Sequence, residues 1–165
     1  MHSEISIWID APPDSVFPFA ADLGRWARWL PHYRYVRILS RSGAGVHAAM
    51  SARRGAIPVF WEAVQTADPG SRTIRFRHVR GVTRGMEVLW TLTEERGGTR
   101  ARIDHDLDLK WPLVGPWLAE RVIAREFIQP IAAKTLQRFK ALAEGAVAER
   151  GVPRRNPSVR GARAS

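Results

Sequence analysis

The chain has 165 residues, no cysteine and a formal net charge of +10 at neutral pH. This length fits one domain with its own core, and the absence of cysteine excludes disulfides, a thiolate nucleophile and cysteine metal sites. No segment approaches the apolar length of a membrane-spanning helix, and the N-terminus lacks the basic and apolar regions of a secretion signal. We therefore expect a cytoplasmic protein without a transmembrane segment.

The N-terminal region predicts one strand followed by two short helices. Isoleucines alternate with other residues over residues 5–9, which is the two-residue period of a strand. Pro12 favours the first turn of a helix over residues 15–22, and Gly24 separates this helix from a second one over residues 25–30. The second helix carries more aromatic area than so short an element can hide, so it must pack against the rest of the domain.

Six further strands are predicted between the short helices and the C-terminal region. They are residues 33–41, 46–53, 57–66, 73–80, 85–95 and 99–110. Short breaks containing glycine separate them, so neighbouring strands should pair as antiparallel hairpins. One strand, two helices, six strands and a closing helix together predict an α+β domain with a seven-stranded antiparallel sheet.

The closing element is predicted as a long amphipathic helix over residues 115–150. Apolar side chains return every three or four positions, from Leu118 through Ile128 to Ala143. Pro130 interrupts this pattern, so we expect a bend there. At 1.5 Å per residue the helix would run roughly 45 Å, which is longer than packing in a small domain requires. We therefore expect the sheet to curl round it.

The C-terminal residues 151–165 are predicted to be a disordered, arginine-rich tail that follows a domain over residues 1–150. Five arginines in residues 150–165 supply half of the net charge, and the segment contains two prolines and no acidic residue. Such a tail can contact nucleic acid or anionic lipid. Because most short basic tails are simply solvated, we do not expect a nucleic-acid partner.

Strand alternation places a mostly apolar set of side chains on the inner face of the sheet. His78 shares a face with Ile74 and Phe76, and His105 shares one with Ala101. A largely apolar cleft with few polar groups is typical of a small-molecule site. The residues predicted to contact a ligand are Trp26, Trp61, Gln65, Phe76, Met86, Val88, Trp90, Ile128 and Thr135.

Several short motifs resemble those of one family. They are Ile-x-Ala-Pro-Pro-Asp-x-Val-Phe at residues 9–17, Asp-Leu-x-x-Trp-x-x-Trp-Leu-Pro-His-Tyr at 22–33, Trp61-Glu62, Gly70-Ser71-Arg72-Thr73, Trp90-Thr91 and Gly97-Gly98-Thr99. With the closing helix, they resemble the START-like helix-grip superfamily over residues 4–146, and within it the polyketide aromatase/cyclases of the tetracenomycin type.

This resemblance implies a helix-grip fold, in which the sheet wraps the C-terminal helix and leaves a deep cavity. It also implies a cofactor-independent enzyme that folds a poly-β-ketone and promotes aldol cyclisation and dehydration by acid–base catalysis. The superfamily also contains lipid-transfer and coenzyme-Q-binding proteins. A non-catalytic carrier of a lipid or isoprenoid quinone is therefore the alternative, and we expect no cofactor and no metal in either case.

Three residues are candidates for catalysis. His78 and His105 lie on the inner face and belong to the residue type that titrates nearest to neutral pH. Tyr33 matches a pocket tyrosine of the cyclases, and its hydroxyl could orient an enolate. Each of the three has a structural alternative, because a lone polar residue on an apolar wall is often only hydrogen-bonded there.

One departure from the cyclases concerns a pocket arginine that follows their Trp-Glu pair. Residues 65–68 of this chain, Gln-Thr-Ala-Asp, stand in its place. The carbonyl polarisation attributed to that arginine could come from His78, Arg80 or Arg125.

Two predicted hairpin tips are basic, one with Arg53 and Arg54 and the other with Arg80 and Arg84. Polyketide intermediates travel on acyl carrier proteins, which are acidic. Basic tips near a cavity mouth would steer such a partner toward the protein. Arginines are also common at exposed turns, so two interpretations of these tips stand: a contact with a carrier protein, or a rim that is simply solvated.

Overall fold

A computed structural model describes residues 2–107 and 127–151, with Arg54 and Gly151 described for the backbone only. The elements are β1 (His2–Ile9), α1 (Pro13–Ala21), α2 (Leu23–Trp29), β2 (Tyr33–Ser42), β3 (Gly45–Arg54), β4 (Ile57–Asp68), β5 (Thr73–Gly81), β6 (Glu87–Glu95), β7 (Gly98–Asp106) and α3 (Gln129–Gly151). The predicted order of one strand, two short helices, six strands and a C-terminal helix is confirmed.

The strands form one antiparallel sheet in the order β1-β7-β6-β5-β4-β3-β2. Each strand from β2 onward pairs with its neighbours along the chain, whereas β1 pairs with β7, with Ile9 opposite Thr99. The register shifts twice in the β2–β3 ladder and once between Glu62 and Ala63 in the β4–β5 ladder. Such irregularities bend strands and increase their twist. The predicted seven-stranded antiparallel sheet is confirmed.

The helices pack on the concave face of the sheet, because the strands alternate between buried apolar and exposed polar side chains. In β5, Ile74, Phe76 and His78 are buried, while the arginines between them are exposed. The Trp26 ring of α2 lies in the middle of the core. Its centroid is 5.5–6.0 Å from the rings of Tyr33, Phe76, Trp90 and Phe139.

Helix α3 begins at Gln129, directly after Phe127 and Ile128, which have π-helical geometry. Pro130 therefore lies next to a change in helical geometry and not in the middle of a regular α-helix. Short π-helical segments are one recognised way for a chain to accommodate an interrupted α-helix. The predicted start of this helix at residue 115, any bend that depends on it, and the tail over residues 152–165 lie outside the described ranges.

Polar contacts fix α3 against the β1 edge of the sheet. Lys140 Nζ donates to the Trp8 carbonyl at 3.0 Å and also contacts the Glu144 carboxylate. The Glu144 carboxylate accepts a hydrogen bond from the Asp10 backbone N–H at 2.8 Å. Because two side chains of α3 bond to the backbone around the end of β1, the helix has a defined position on the sheet. None of the three described helices has the length and apolarity needed to cross a membrane.

Candidate functional site

A partly open cavity of about 90 Å³ lies between the sheet and α3. The sheet supplies inward-facing side chains of β2 to β7, and the helices supply Trp26 and the buried stripe at the start of α3. The predicted site residues that line it are Trp26, Tyr33, Trp61, Phe76, His78, Met86, Val88, Trp90, His105, Ile128 and Thr135. The lining also includes residues that the sequence analysis did not select, namely Met50, Val59, Thr83, Ile103, Phe127, Ile131 and Ala132.

Two contacts hold the His78 side chain in the cavity wall, one through the face of its ring and one through a ring nitrogen. Its imidazole stacks on the Trp61 indole, with centroids 5.9 Å apart and planes at 1°. Its Nδ1 lies 2.7 Å from the Thr83 hydroxyl oxygen. Burial, together with the charge of the nearby His105, lowers the pKa of His78 to about 3. The imidazole is therefore neutral at neutral pH.

His105 lies on β7, across β6 from His78, and pairs with Ser3 of β1 and Val88 of β6. Burial lowers its pKa to about 4, although the Ser3 backbone and the Asp104 carboxylate both act in the opposite direction. His105 is therefore also neutral at neutral pH. The cavity thus contains two uncharged imidazoles, each able to accept or donate a hydrogen bond.

A second polar group of side chains lies where β2 meets α3. The Thr135 hydroxyl donates to the Ile131 carbonyl at 2.9 Å and lies 2.9 Å from His32 Nε2. Because the hydroxyl proton is engaged by Ile131, we assign the proton between Thr135 and His32 to Nε2. Burial lowers the pKa of His32 to about 4, with the Lys134 charge acting in the same direction.

Tyr33 lies beside this group, with its ring edge-on to the His32 imidazole at 5.0 Å. Burial raises the pKa of the Tyr33 phenol, and the Thr135 hydroxyl only partly opposes this effect. The phenol therefore keeps its proton and can act as a hydrogen-bond donor in the cavity.

The structure does not bring Gln65 to the cavity. Its side chain is buried nearer α1, where Nε2 donates to the Ala20 carbonyl at 3.4 Å. This bond gives Gln65 a role in packing the first helix on the sheet. Arg125, named above as an alternative source of carbonyl polarisation, lies outside the described residues.

The predicted rim residues Arg53, Arg80 and Arg84 are all exposed. Arg80 pairs with the Glu62 carboxylate at 3.3 Å, whereas Arg53 and Arg84 have no ion-pair partner among the described residues. The backbone of Arg54 ends β3, and its side chain lies outside the description.

The described residues contain no group of three or more His, Cys, Asp or Glu side chains that could hold a metal ion. The functional groups of the described cavity are two neutral imidazoles, one protonated phenol and two hydroxyls on an aromatic and aliphatic wall. Such a wall can hold a flat apolar ligand, and the polar groups can bond to its oxygen atoms.

Known proteins match the chain in both sequence and structure. Residues 9–140 match the model of a family described as polyketide cyclase/dehydrase and lipid transport. A Streptomyces cyaneus protein described as a candidate polyketide cyclase is 30% identical over 112 residues, which cover 66% of this chain and 74% of that protein.

Two solved structures illustrate the similarity of fold. The Zhui aromatase/cyclase from Streptomyces sp. R1128 superposes with a TM-score of 0.80 at 20% identity, over 92% of this chain and 98% of that one. A START superfamily protein from Mycobacterium smegmatis superposes with a TM-score of 0.62 at 16% identity, over 90% and 97% of the two chains. Since the family model spans most of the sequence, this chain belongs to the polyketide cyclase/dehydrase and lipid-transport family.

Proposed function

We propose that this protein binds a poly-β-ketone in the cavity and promotes its aldol cyclisation and the subsequent loss of water. The observation that carries the proposal is the placement of His78, His105 and Tyr33 around one aromatic cavity. Aromatic walls suit a flat, conjugated ligand, and three separated polar groups can bond to several of its oxygens.

The chemistry requires a proton acceptor and hydrogen-bond donors, but no cofactor. A carbon between two ketones loses a proton, and the resulting enolate carbon attacks the carbonyl carbon of another, more distant ketone of the same poly-β-ketone. The new alkoxide takes up a proton, and loss of water then forms a carbon–carbon double bond. Because a proton between two ketones is already acidic, positioning and a modest base are sufficient.

The lowered histidine pKa values favour rapid onward transfer of a proton over its retention on the imidazole. His105 is neutral and so can accept a proton, and its lowered pKa means that it releases the proton readily, whereas the neutral His78 can donate a hydrogen bond to a ligand oxygen. A proton taken from the ligand carbon would therefore pass quickly to the alkoxide or to water. The Tyr33 phenol keeps its own proton and would donate a hydrogen bond to an enolate oxygen.

The size of the cavity limits how the ligand can enter. About 90 Å³ is less than the roughly 300–1,000 Å³ of a typical small-molecule site. A poly-β-ketone would therefore enter with its reacting end and displace flexible wall side chains. Met50 and Met86 are suited to such movement, because unbranched thioether side chains adapt their shape easily.

An acidic acyl carrier protein is the proposed source of the substrate. Arg53 and Arg84 lie at the β3–β4 and β5–β6 hairpin ends, close in sequence to the cavity-lining residues Val59 and Thr83. Exposed cations at this position would raise the rate of encounter with an acidic partner more than the final affinity.

The test is an assay of cyclisation with a polyketide-loaded carrier protein. Loss of a general acid–base group typically reduces rates 10²–10⁴-fold, and loss of a hydrogen-bond donor to the developing oxyanion about 10²–10³-fold, so His105→Ala and His78→Ala should slow cyclisation on that order. Tyr33→Phe should have a smaller effect, because it removes one hydroxyl. His47→Ala, which changes a histidine outside the cavity lining, is the matched control. Equal rates for the parent and the double histidine variant would overturn the catalytic assignment.

A non-catalytic carrier of a lipid or isoprenoid quinone is the second candidate. The mainly apolar lining and the low basicity of the buried histidines favour it. It predicts only the spontaneous product mixture from the parent protein, together with ligand binding that depends mainly on Trp61 and Trp90. Quenching of tryptophan fluorescence by candidate ligands, and mass spectrometry of any molecule that co-purifies, would establish it.

A further inference from the structure

We infer that His78 serves as a neutral hydrogen-bond donor, presenting Nε2–H to a ligand oxygen, and that Thr83 is the positioning residue that fixes this tautomer. The inference deepens the proposed function. It rests on that function only for the identity of the ligand oxygen, which would be a ketone or enolate oxygen of the poly-β-ketone. No proton is transferred in this role. The N–H bond stays intact while negative charge develops on the oxygen that it contacts.

Thr83 occupies an unusual place for a turn residue. It lies in the connection between β5 and β6, where its neighbours Val82 and Arg84 are exposed, yet it is only 5% exposed itself. Its hydroxyl oxygen is 2.7 Å from His78 Nδ1. A residue of a surface turn thus places its hydroxyl in the cavity wall, within hydrogen-bonding distance of one ring nitrogen.

A count of protons decides the direction of this hydrogen bond. His78 Nδ1 is the one acceptor within hydrogen-bonding distance of the Thr83 hydroxyl in the described part of the chain. If Nδ1 carried the proton and donated to Thr83, the buried hydroxyl proton and the Nε2 lone pair would both be unpaired. If Thr83 donates to Nδ1, only Nε2–H is unpaired. Because buried unpaired polar groups are unfavourable, the second arrangement is preferred.

The turn that carries Thr83 is fixed by its backbone. The His78 N–H donates to the Met86 carbonyl at 2.9 Å, and the Gly85 N–H donates to the His78 carbonyl at 2.9 Å. The Met86 N–H donates to the Thr83 carbonyl at 3.0 Å. Three hydrogen bonds therefore lock His78 and Thr83 into one small hairpin, so the distance between their side chains does not depend on distant parts of the fold.

The ring itself is also held in one orientation. The Trp61 indole lies parallel to the imidazole at a centroid distance of 5.9 Å. Nδ1 is bonded to Thr83, and Nε2, on the opposite side of the ring, has no hydrogen-bond partner among the described residues. An oriented donor without a partner in the described part of the chain, in a residue that lines a cavity, can stabilise charge that develops on a ligand oxygen.

The electrostatic surroundings keep this donor neutral. Burial and the neighbouring His105 lower the pKa of His78 to about 3, so the ring does not become a cation near neutral pH. A neutral imidazole donates a hydrogen bond without gaining or losing a proton, and therefore its tautomer decides its function.

The primary test needs no substrate. Long-range ¹H–¹⁵N NMR of the parent protein with ¹⁵N-labelled histidine should show His78 as the neutral Nε2–H tautomer at pH 7. Thr83→Ser keeps the hydroxyl and should keep this tautomer, whereas Thr83→Val should give a mixture of the two tautomers. Thr66→Val, which changes an exposed threonine of β4, should leave the His78 signals unchanged.

A second test measures cyclisation of the carrier-bound polyketide by the Thr83 variants. Thr83→Val should lower kcat/KM roughly tenfold, mainly through kcat, and Thr83→Ser should restore most of the loss, since a misplaced donor acts chiefly in the transition state. A purely packing role for Thr83 would lower stability in Thr83→Val without changing the tautomer of His78.

The inference and the proposed function can fail separately. A parent protein that shows the Nδ1–H tautomer, or a protonated ring at pH 7, would overturn the inference even if cyclisation is observed. A single Nε2–H tautomer in Thr83→Val would remove the role of Thr83. If the parent does not accelerate cyclisation, the proposed function fails, while the NMR result still decides the tautomer. If Thr83→Val does not fold, the parent and Thr83→Ser spectra remain decisive.

Discussion

Acidification should destabilise this protein because three histidines resist protonation in the folded state. An unperturbed histidine has a pKa of 6.5, whereas burial lowers the pKa of His78 to about 3 and those of His105 and His32 to about 4. Below pH 6.5 the unfolded chain therefore binds protons that the folded chain does not. The free energy of unfolding is fully retained above pH 6.5 and falls as the pH decreases toward the folded-state values.

The magnitude follows from these differences in pKa. Each histidine that titrates only in the unfolded state lowers the free energy of unfolding by about 1.4 kcal/mol per pH unit below 6.5. Between pH 7.5 and 5.5 this amounts to about 1.4 kcal/mol per histidine, or about 2.7 kcal/mol for His78 and His105 together, and the partly buried His32 adds a smaller loss. The lowered carboxylate pKa values of Asp68, Glu95 and Glu144 act at lower pH and do not enter this window.

The measurement is urea unfolding at pH 7.5, 6.5 and 5.5, followed by tryptophan fluorescence. His78→Gln removes one of the three groups and should reduce the pH dependence by about a third to a half, whatever its effect on stability at pH 7.5. His2→Gln, at an exposed position of β1, is the control for the loss of a histidine as such. A parent protein that loses less than about 1 kcal/mol, or a His78→Gln variant with the full parental dependence, would refute the reasoning.

The remaining predictions concern the turns, the core and the tail. Gly81 has φ 93°, and an added Cβ would lie 2.3 Å from the Phe60 carbonyl oxygen, so Gly81→Ala should lower stability by about 1–3 kcal/mol in urea unfolding. Gly43→Ala, where a Cβ meets nothing within 4 Å, should be close to neutral in the same experiment. Phe139→Ala should lower the free energy of unfolding by about 3–5 kcal/mol, because the ring is buried against Trp26 and Trp90. Truncation after Arg150 should leave the melting temperature nearly unchanged, and a fall of several degrees would contradict this expectation.

The strands and short helices were predictable because their signals are local. The alternation in residues such as Ile74, Phe76 and His78 depends only on the pleat of one strand, and the glycine-containing breaks depend only on neighbouring residues. The same alternation identified most of the cavity-lining residues of β4 to β7 before the position of any helix was known. Short connections between the strands then determined the antiparallel pairing.

The positions that sequence reasoning missed depend on contacts between elements. Gln65 was assigned to the correct face of β4, but α1 covers that end of the strand, so its side chain bonds to Ala20. Thr83 was treated only as part of a turn, although a hydroxyl five residues after His78 was the one available signal of their bond. His32 was noticed within a motif, but its bond to Thr135 joins residues 103 positions apart.

The pairing of β1 with β7 has a consequence for how the chain reaches its fold. His2 lies opposite Asp106, so the first strand finds its partner only after about a hundred further residues exist. At roughly 5–20 residues per second, a nascent chain would hold β1 unpaired for about 5–20 s while the β2–β6 hairpins form locally. Closure of this pair joins distant parts of the sequence and is intrinsically slow. The isoleucine-containing β1 is therefore the segment most exposed to wrong partners during synthesis.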